Sequence, residues 1–403
     1  FNDTGTLESY FKAHNLPTYE RLGYDRYLKD KGFFYNVPSI HITGTNGKGS
    51  TSSFIQSIYR AQGYKTALYT SPYFEKANEM MVIDGAPISD GQLLAYMNAR
   101  VEEFETYHLT TFEMQTLIAL EYFTDEKVDV AVIEVGMGGL VDATNIFTPI
   151  LSILTNVALE HTRFLGNTVK EIATAKSGII KDHVPTLYGR LDEEAYAVVY
   201  KAAFLKRSEL SAMKEPTNVR IEGNLKFDYD DLKDLEVTSH ALYQADNAAL
   251  AISAVRLLAS RFPVSKSAIR TGLKTMFIPG RLEILEGSPT IILDGCHNPH
   301  AASALVETMK TFGNIPIYIV FAAFKDKNVD AIFQSFSEIS KKILVTSFDH
   351  VRARHREDYE NLIYPYVDDY KEAMRITLAR APKRSIILMT GSLAFIGVVR
   401  HDL

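Results

Sequence analysis

Residues 39–51 read Ser-Ile-His-Ile-Thr-Gly-Thr-Asn-Gly-Lys-Gly-Ser-Thr, and this stretch decides the fold. A short β-type run, Val37 to Ile42, precedes the glycines, and apolar residues at helical spacing follow Ser50. A glycine-rich turn between a strand and a helix N-terminus is typical of a phosphate site, because the backbone closes around the anion and the helix dipole favours negative charge. The stretch therefore predicts a nucleotide-binding loop, in which Lys48 reaches the outer phosphates and Ser50 faces a metal ion.

The loop differs from the common P-loop pattern in its spacing. Gly44 and Gly47 lie closer together than in that pattern, and Gly49 separates Lys48 from Ser50. The alternative interpretation is an ordinary tight turn that contains a lysine. The strand–loop–helix context favours phosphate binding over that alternative.

Composition is that of an ordinary globular protein, with 403 residues, 46% hydrophobic and 23% charged. This length predicts two domains. The net charge of −6 gives the whole molecule no positive potential that would attract nucleic acid or an anionic membrane. The one cysteine, Cys296, excludes an internal disulfide framework and suits a reducing compartment. With no apolar run long enough to span a bilayer and no signal-peptide pattern at Phe1-Asn2-Asp3, we expect a cytoplasmic protein.

Short apolar strands alternate with helical stretches, which indicates an α/β fold with a mostly parallel sheet. The run Val128–Glu134 is nearly continuous in apolar residues and is typical of a central parallel strand. Other strands are predicted at Lys65–Tyr69, Ile150–Val157, Val184–Tyr188 and Ile221–Tyr229, and a long helix at Ser239–Arg261.

The pattern restarts after Gly287-Ser288-Pro289. The later strands are predicted at Thr290–Leu293, Ile315–Phe321, Ile343–Phe348 and Ile386–Met389. We therefore expect a P-loop-type ATPase domain over residues 1–286 and a smaller, doubly wound α/β domain over residues 287–403.

Polar side chains follow three predicted strands of the first domain, at Ser71, Glu134 and His161. Each alone has a plain structural explanation, as a turn residue, a loop ion pair or a hydrogen-bonded histidine. Because parallel strands place a ligand outside their carboxyl ends, the three together beside a phosphate loop resemble a magnesium site. An imidazole is an unusual magnesium ligand, so His161 is the weakest member on chemical grounds.

Other candidate residues have two interpretations each. Asp294 could accept hydrogen bonds from a ribose or a base, His297 could approach phosphate, and Arg281 could clamp phosphates. Lys176 is a solvated helical lysine on the residue pattern alone. The aromatic and basic stretch Leu16–Tyr35 is expected to lie over the nucleotide site or a substrate.

Ordered motifs along most of the chain resemble one family, the folylpolyglutamate synthase and dihydrofolate synthase branch of the Mur ligase superfamily. The motifs are Gly44-Thr-Asn-Gly-Lys-Gly-Ser50, Thr70-Ser-Pro72, Thr111-Phe-Glu113, Glu134-Val-Gly-Met-Gly-Gly139, Asp142-Ala-Thr-Asn145, His161-Thr162, Leu165-Gly166, Lys176-Ser-Gly-Ile-Ile180, Gln244 with Asn247, Gly280-Arg-Leu-Glu283, Asp294-Gly-Cys-His-Asn-Pro299, Asp326-Lys327 and Gly391-Ser-Leu393. Departures include Leu140, where the family commonly has Arg, and Glu160, where Asp usually precedes the histidine.

The resemblance implies a role for each site residue. ATP would be bound by Gly44, Thr45, Asn46, Gly47, Lys48, Gly49, Ser50, Asn247, Arg281, Asp294 and His297. Magnesium, two ions by resemblance, would be held by Ser71, Glu134 and His161. Lys48, His161 and a carbamylated Lys176 would be catalytic, and Thr110, Val141, Asp142 and Ala143 would contact the folate or pteroate.

The activity that the resemblance implies is an ATP-dependent amide ligase that adds L-glutamate to tetrahydrofolate through an acyl phosphate. Addition of the first glutamate to dihydropteroate, giving dihydrofolate, remains open beside it. The resemblance also implies a monomer with only small-molecule substrates. The alternatives are another Mur-type ligase acting on muropeptides, and a P-loop regulatory NTPase.

Overall fold

The computed structural model describes residues 1–15 and 21–403 of the chain. Its α-helices are α1 (Thr4–His14), α2 (Leu22–Asp30), α3 (Lys48–Gln62), α4 (Asp90–Thr106), α5 (Thr111–Asp125), α6 (Thr162–Leu165), α7 (Val169–Lys176), α8 (Glu193–Leu205), α9 (Gln244–Leu257), α10 (Lys266–Thr275), α11 (Pro299–Lys310), α12 (Val329–Phe336), α13 (Tyr370–Arg380) and α14 (Leu393–Asp402). Among the described helices, none combines the length and the apolar character that a bilayer crossing requires.

The strands alternate with these helices along most of the chain. They are β1 (Ser39–Thr43), β2 (Thr66–Tyr69), β3 (Met81–Ile83), β4 (Ala86–Pro87), β5 (Val130–Glu134), β6 (Leu151–Asn156), β7 (Thr186–Arg190), β8 (Leu210–Ala212), β9 (Thr217–Glu222), β10 (Asn224–Tyr229), β11 (Leu232–Val237), β12 (Glu283–Leu285), β13 (Thr290–Asp294), β14 (Ile317–Phe321), β15 (Ile343–Ser347), β16 (Tyr366–Asp369) and β17 (Ile386–Thr390).

The chain folds into two compact units. The first contains Phe1–Pro216, Tyr229–Leu235 and Asp246–Met276, and the second contains Thr217–Asp228, Glu236–Ala245 and Phe277–Leu403. The expected division into functional domains at residues 1–286 and 287–403 stays a prediction. The structure adds that β12, which precedes residue 286, pairs antiparallel with β13 of the second unit.

The first unit is built on an eight-stranded sheet in the order β4-β3-β2-β5-β1-β6-β7-β8. From β2 to β8 neighbouring strands are parallel, while β3 and β4 add an antiparallel edge. The β1 strand is central, pairs with β5 and β6, and is buried at all five residues. Parallel strands covered on both faces need apolar residues throughout, which is why the runs in β1 and β5 are nearly continuous. The carboxyl ends of β1, β5 and β6 therefore share one edge.

Helix α3 is held in place by close packing against α10. A Cβ built on Gly272 would lie 2.6 Å from the Cα of Ile58, so only glycine permits this approach. The Ser57 hydroxyl donates to the Gly272 carbonyl at 2.7 Å. Phe54 and Ile55 of α3 are at most 1% exposed. The N-terminus of α3 is consequently fixed next to the end of β1.

The second unit contains a six-stranded sheet in the order β12-β13-β17-β14-β15-β16, parallel except at β12. Successive side chains of a strand point to opposite faces. Ile292 and Ile319 belong to one apolar cluster, whereas the neighbouring Leu293 and Val320 belong to another. Two cores on the two faces of one sheet make the unit doubly wound, so the predicted fold class is confirmed.

Two predictions of secondary structure between residues 217 and 261 are wrong. The single strand expected at Ile221–Tyr229 is two antiparallel strands, β9 and β10, that turn at Gly223 with φ of +73°. Polar and apolar residues continue to alternate through the turn, so the sequence pattern does not show that the chain reverses its direction there. The helix expected from Ser239 begins only at Gln244. In the stretch Leu16–Tyr35, residues 16–20 lie outside the described residues, and α2 occupies much of the remainder.

Candidate active site

The candidate nucleotide loop, Gly44–Gly47, connects β1 to α3. Gly44 has φ of +153° and Gly47 has φ of +84°, and Gly47 is the residue that caps α3. A left-handed φ is strained for any residue with a Cβ, so the turn requires glycine at Gly47. The loop thus delivers the first turn of α3, beginning at Lys48, to the edge where the parallel strands end.

The loop is braced from β6 by Thr155 and Asn156, two residues that sequence reasoning missed. The Asn156 side chain accepts from the Asn46 amide at 2.8 Å and donates to the Asn46 carbonyl at 3.0 Å. The Thr155 hydroxyl donates to the same carbonyl at 2.6 Å. Their position at the end of the predicted strand Ile150–Val157 was the available signal. These contacts fix the loop conformation from a second strand.

Both loop glycines are needed for space as well as for backbone conformation. A Cβ on Gly44 would lie 1.7 Å from the Thr155 hydroxyl oxygen, and one on Gly47 would lie 2.3 Å from the Asn247 side-chain oxygen. Asn247, in the first turn of α9, was predicted to bind ATP. The structure brings it against the loop, and its role in ATP binding stays a prediction.

Thr45 in the loop and Lys48 and Ser50 at the start of α3 supply further polar side chains. The Lys48 ammonium donates to the Gly44 carbonyl at 3.0 Å, so the side chain folds back over the loop. The Thr45 hydroxyl donates to the Ala158 carbonyl at 3.2 Å, and Ser50 is buried. A half-buried ammonium on a helix N-terminus gives this turn a local positive potential suited to phosphate.

Glu134 is a carboxylate that lies near the start of α3. Its side chain is 4% exposed, and its Oε2 accepts from the Ser71 amide at 3.3 Å. A Cβ built on Gly49 would lie 3.6 Å from the same oxygen. Hard oxygen donors beside a phosphate loop are what Mg²⁺ prefers, so these residues fit the ion that the resemblance implies. Across residues 1–15 and 21–403, no three His, Cys, Asp or Glu side chains converge on one point.

His161 is the N-cap residue of the short helix α6 and has the left-handed conformation, with φ of +50°. Its Nε2 lies 3.8 Å from Oε1 of the buried Glu160. The carboxylate that precedes the histidine is therefore directed toward the imidazole. The third predicted magnesium ligand is thus placed after β6, and its role as a ligand stays a prediction.

Lys176 is not the solvated lysine that the residue pattern allowed. Only 3% of it is exposed, and burial lowers its pKa to about 7. The positive charge of Lys48 lowers the pKa further, while Glu160 and Asp142 act in the opposite direction. Such a lysine is substantially neutral near pH 7, which is the form that can act as a nucleophile.

Asp142 organises the segment predicted to contact folate or pteroate. Its carboxylate accepts from the amides of Gly136, Met137 and Thr144 at 2.9–3.2 Å. Burial raises the pKa of Asp142, and these hydrogen bonds act against that rise. His41, which contacts Thr144 at 2.8 Å, is buried, and burial lowers its pKa to about 3. Asp142 is therefore a structural anchor, a function that sequence reasoning did not assign.

The other predicted acceptor-site residues surround that anchor. Thr110 caps α5 and exchanges hydrogen bonds with Glu113 at 2.8 and 3.3 Å. A Cβ on Gly136 would lie 2.5 Å from the Phe112 ring and 3.1 Å from Asp142, so the start of α5 lies near the Asp142 segment. Val141 is 38% exposed and offers an apolar surface there.

Helix α2 holds the same segment from a distant part of the sequence. The Arg21 guanidinium donates to the Asp142 carbonyl at 3.0 Å, and the Tyr24 hydroxyl donates to the Ala143 carbonyl at 2.7 Å. Sequence reasoning missed both residues individually, although it expected their stretch to cover a ligand site. The aromatic and basic composition of that stretch was the only signal.

In the second unit, the structure brings together Arg281, Asp294 and His297. The Gly295 amide donates to the Gly280 carbonyl at 2.8 Å, which joins the two segments. His297 Nδ1 lies 3.0 Å from the Gly295 carbonyl. The predicted contacts of these residues with ATP stay predictions.

The Asp294 carboxylate is occupied by groups of its own unit. It accepts from the Tyr243 hydroxyl at 2.7 Å, the Leu282 amide at 2.9 Å and the Cys296 amide at 2.9 Å. Burial raises its pKa, and the nearby Arg281 guanidinium opposes that rise. Asp294 therefore also fixes the loop that carries it, with Tyr243 as a partner that sequence reasoning missed.

Two family models match the chain. The Mur ligase middle domain matches residues 42–255, and the Mur ligase glutamate ligase domain matches residues 280–393. The folylpolyglutamate synthase of Lacticaseibacillus casei is 36% identical over 90% of this chain and 89% of its own length. The dihydrofolate synthase/folylpolyglutamate synthase of Bacillus subtilis (strain 168) is 33% identical over 91% of this chain and 90% of its own.

Solved structures show the same relationship. An FPGS–AMPPCP–folate complex has a TM-score of 0.87 and 30% identity, and the match covers 99% of each chain. These findings confirm the resemblance drawn from the ordered motifs. The chain belongs to the Mur ligase family, among the folylpolyglutamate and dihydrofolate synthases.

Proposed function

We propose that this protein joins L-glutamate to the terminal carboxylate of a folate, with ATP as the source of energy. Membership of a family of ATP-dependent glutamate ligases supports the reaction class. The observation that carries the proposal is that Lys48 and Glu134 lie at the start of α3, directly after the glycine loop, and that the charge of Lys48 acts on the buried Lys176. The relatives described above favour this activity over a muropeptide ligase or a regulatory NTPase.

The first step activates the acceptor. A carboxylate oxygen of the folate attacks the γ-phosphorus of ATP. A bond forms between that oxygen and the phosphorus, and the bond between the phosphorus and the oxygen of the departing ADP breaks. Charge on the transferring phosphoryl group is offset by the Lys48 ammonium and the amides at the start of α3. A magnesium ion held by Ser71, Glu134 and His161 would supply further charge neutralisation.

The second step forms the amide. The neutral amino group of glutamate attacks the acyl phosphate carbon, and a tetrahedral intermediate expels inorganic phosphate. The amine loses a proton, so the products are an amide, ADP and phosphate. The catalytic contribution of the protein is mainly positioning and electrostatic stabilisation, since the activated acyl group needs no covalent enzyme intermediate.

We further propose that Lys176 is carbamylated. Its neutral amine would attack carbon dioxide, form a nitrogen–carbon bond and release a proton, which replaces a cationic site by an anionic one. A depressed pKa near 7 and the neighbouring Lys48 both favour that replacement. The carbamate would then offset the Lys48 charge and offer oxygen donors to a metal ion.

The acceptor is proposed to bind near Thr110, Val141, Asp142 and Ala143. The solved FPGS complex with AMPPCP and folate supports a folate as acceptor in this family. Tetrahydrofolate and dihydropteroate remain the two candidates for this chain. Leu140, which is 56% exposed beside this segment, is an apolar residue where the family commonly has Arg.

The proposed setting is the cytoplasm, because Cys296 is buried as a free thiol and suits a reducing compartment. Arg281, Asp294 and His297 are proposed to contact ATP, together with Asn247. An Arg281→Ala variant would raise the KM for ATP if that assignment is right. An unchanged KM would remove Arg281 from the nucleotide site.

Purified protein supplied with ATP, magnesium and glutamate should release ADP only when a folate acceptor is present. Parallel assays with tetrahydrofolate and dihydropteroate decide between the two activities. Glu134→Ala should lower ligation by about a hundredfold or more while circular dichroism stays unchanged. ATP turnover that ignores both acceptors, or full activity of Glu134→Ala, would contradict the proposal.

A further inference from the structure

Arg190 is the last residue of β7, and its guanidinium binds two carboxylates at once. Nε and Nη2 donate to the two oxygens of Asp246 at 2.6 and 2.9 Å. Nη1 and Nη2 donate to the two oxygens of Glu215 at 2.8 and 2.7 Å. All three residues belong to the first unit. Because a guanidinium is planar and rigid, two bidentate contacts fix the direction of the carboxylates that it holds.

Asp246 lies in the first turn of α9, directly before Asn247. It is also the first residue of Asp246–Met276, the segment with which the chain returns to the first unit. Negative charge near a helix N-terminus is favourable, so the carboxylate suits this position. The contact with Arg190 therefore ties the start of α9 to the end of β7.

Asn247, the next residue, lies against the candidate nucleotide loop. A Cβ built on Gly47 would lie 2.3 Å from the Asn247 side-chain oxygen and 3.2 Å from the carbon that carries that oxygen. These distances leave no free space between the Asn247 side chain and the backbone of the loop. A shift in the first turn of α9 therefore changes the contact between Asn247 and the loop.

The end of β7 is itself fixed to the strand that braces the loop. Arg190 pairs in register with Asn156 of β6. A Cβ built on Gly189 would lie 2.4 Å from the Thr155 carbonyl oxygen and 3.5 Å from the Leu250 side chain of α9. Because Thr155 and Asn156 also hold the nucleotide loop, the end of β7 has a defined position relative to that loop.

We propose that Arg190 is a positioning residue for the nucleotide site, and that it holds Asn247 against Gly47 through Asp246. This inference rests on the proposed function, which assigns ATP to the loop Gly44–Gly47. Arg190 is given no contact with the reacting atoms. Its effect passes through the first turn of α9.

The contribution of this ion-pair network to folding should be small. The side chains of Arg190, Glu215 and Asp246 are 51%, 66% and 38% exposed. Exposed ion pairs contribute little to stability, because water screens them. Helix α9 is attached by its apolar side, where Ala248 and Ile252 are completely buried. Loss of Arg190 should therefore leave the unit folded and act on the affinity for the nucleotide.

Binding of the ATP analogue AMPPCP with magnesium to the full-length protein tests the inference, without folate or glutamate present. Arg190→Met should weaken the affinity about fivefold, because the misplaced Asn247 no longer fits the loop. Arg190→Lys should weaken it similarly, because an ammonium keeps the charge but cannot bind both carboxylates in a bidentate manner. Isothermal titration calorimetry measures these affinities. Arg190→Lys with wild-type affinity would assign the effect to charge and overturn the inference.

Arg375→Met is the matched control. Arg375 makes a bidentate contact with Glu372 at 2.6 and 2.8 Å, but it lies in the second unit. This variant should bind AMPPCP as the wild type does. A loss equal to that of Arg190→Met would show that removal of any such arginine weakens binding, and it would overturn the inference.

A double-mutant cycle tests whether Arg190 acts through Asn247. Asn247→Ala should weaken the affinity for AMPPCP about tenfold, and the addition of Arg190→Met should cause no further loss. The midpoint of thermal unfolding of Arg190→Met should lie within about 2 °C of the wild-type value. A larger shift would show that Arg190 supports folding instead, and it would overturn the inference.

The affinities also separate a failure of this inference from a failure of the proposed function. Losses that multiply in the double variant, or wild-type affinity of Arg190→Met or Asn247→Ala, would overturn the inference and leave the proposed function intact. A wild-type protein that does not bind AMPPCP would contradict both.

Discussion

Two loops of this protein occupy equivalent places in two sheets and are held in different ways. Gly44–Gly47 follows β1 in the first unit, and Gly295–Asn298 follows β13 in the second. Both lie between the buried end of a strand and the N-terminus of a helix. The comparison separates a loop that is fixed by a neighbouring strand from a loop that is fixed by the buried carboxylate of Asp294, directly before it.

The first loop is held from outside by Thr155 and Asn156, and it contains two glycines with positive φ. The second loop is held by the Asp294 carboxylate, directly before it, which accepts from the Cys296 amide. The Asn298 side chain caps α11 by accepting from the Ala301 amide at 2.8 Å. The Lys48 side chain, directly after the first loop, contributes one hydrogen bond to the fold. Changes in the first loop should therefore affect catalysis, and changes in the second should affect stability.

The largest effect is expected from Lys48→Met. Removing the ammonium should lower ligase activity by about a hundredfold to a thousandfold, because its charge opposes that of the transferring phosphoryl group. The free energy of unfolding should fall by about 1 kcal/mol or less, since one hydrogen bond is lost. Steady-state kinetics and urea denaturation measure the two quantities. A large loss of stability with normal activity would reverse the assignment of the first loop.

Asp294→Asn should have the next largest effect, on stability. The asparagine side chain keeps one acceptor oxygen, but its NH₂ group faces a backbone N–H or hydroxyl that also donates. One buried donor therefore loses its acceptor, and the free energy of unfolding should fall by about 3 kcal/mol. The exposed Asp368→Asn is the matched control and should change it by less than about 0.5 kcal/mol. Chemical denaturation checks both. Equal stability of the two variants would show that the second loop does not depend on this carboxylate.

Gly47→Ala should raise the KM for ATP by about tenfold, because the new Cβ displaces Asn247 from the loop. Gly63→Ala is its control, since Gly63 also has a positive φ but a Cβ there meets no atom within 4 Å. Both substitutions carry backbone strain of about 1 kcal/mol. A similar KM in the two variants would assign the effect to strain alone.

Bicarbonate dependence should be the smallest effect and the most sensitive to pH. Lys176 has a pKa lowered to about 7, so its amine is mostly neutral above that value and mostly protonated below it. Only the neutral amine forms a carbamate. Activity in carbon-dioxide-depleted buffer should fall several-fold, more at lower pH, and bicarbonate should restore it. The activity of Lys176→Ala should rise with added acetate and not with bicarbonate. A wild-type activity that does not change when carbon dioxide is removed would exclude the carbamate.

Sequence reasoning found the first loop because its information is local. Glycines, a lysine and the flanking periodicity all lie within residues 39–51. It missed Thr155 and Asn156 because their contact depends on the register in which Thr43 pairs with Leu154. Register across parallel strands is set by the assembled core and is not written in either strand alone.

Contacts between distant segments were missed for the same reason. Arg21 and Asp142 are 121 residues apart, and Tyr243 and Asp294 are 51 apart. Sequence reasoning identified Asp142 and Asp294 as candidate ligand contacts, but it could not show that most of their acceptor capacity is used inside the fold. Burial of Lys176, and with it the lowered pKa, likewise depends on packing that the helical pattern does not reveal.

The most direct test of the proposed reaction follows an oxygen atom. A folate acceptor carrying heavy oxygen in its terminal carboxylate is incubated with the protein, ATP, magnesium and glutamate, and the released phosphate is analysed by mass spectrometry. The acyl phosphate route predicts one heavy oxygen in each phosphate formed during ligation. Phosphate without heavy oxygen, released as the amide accumulates, would contradict it.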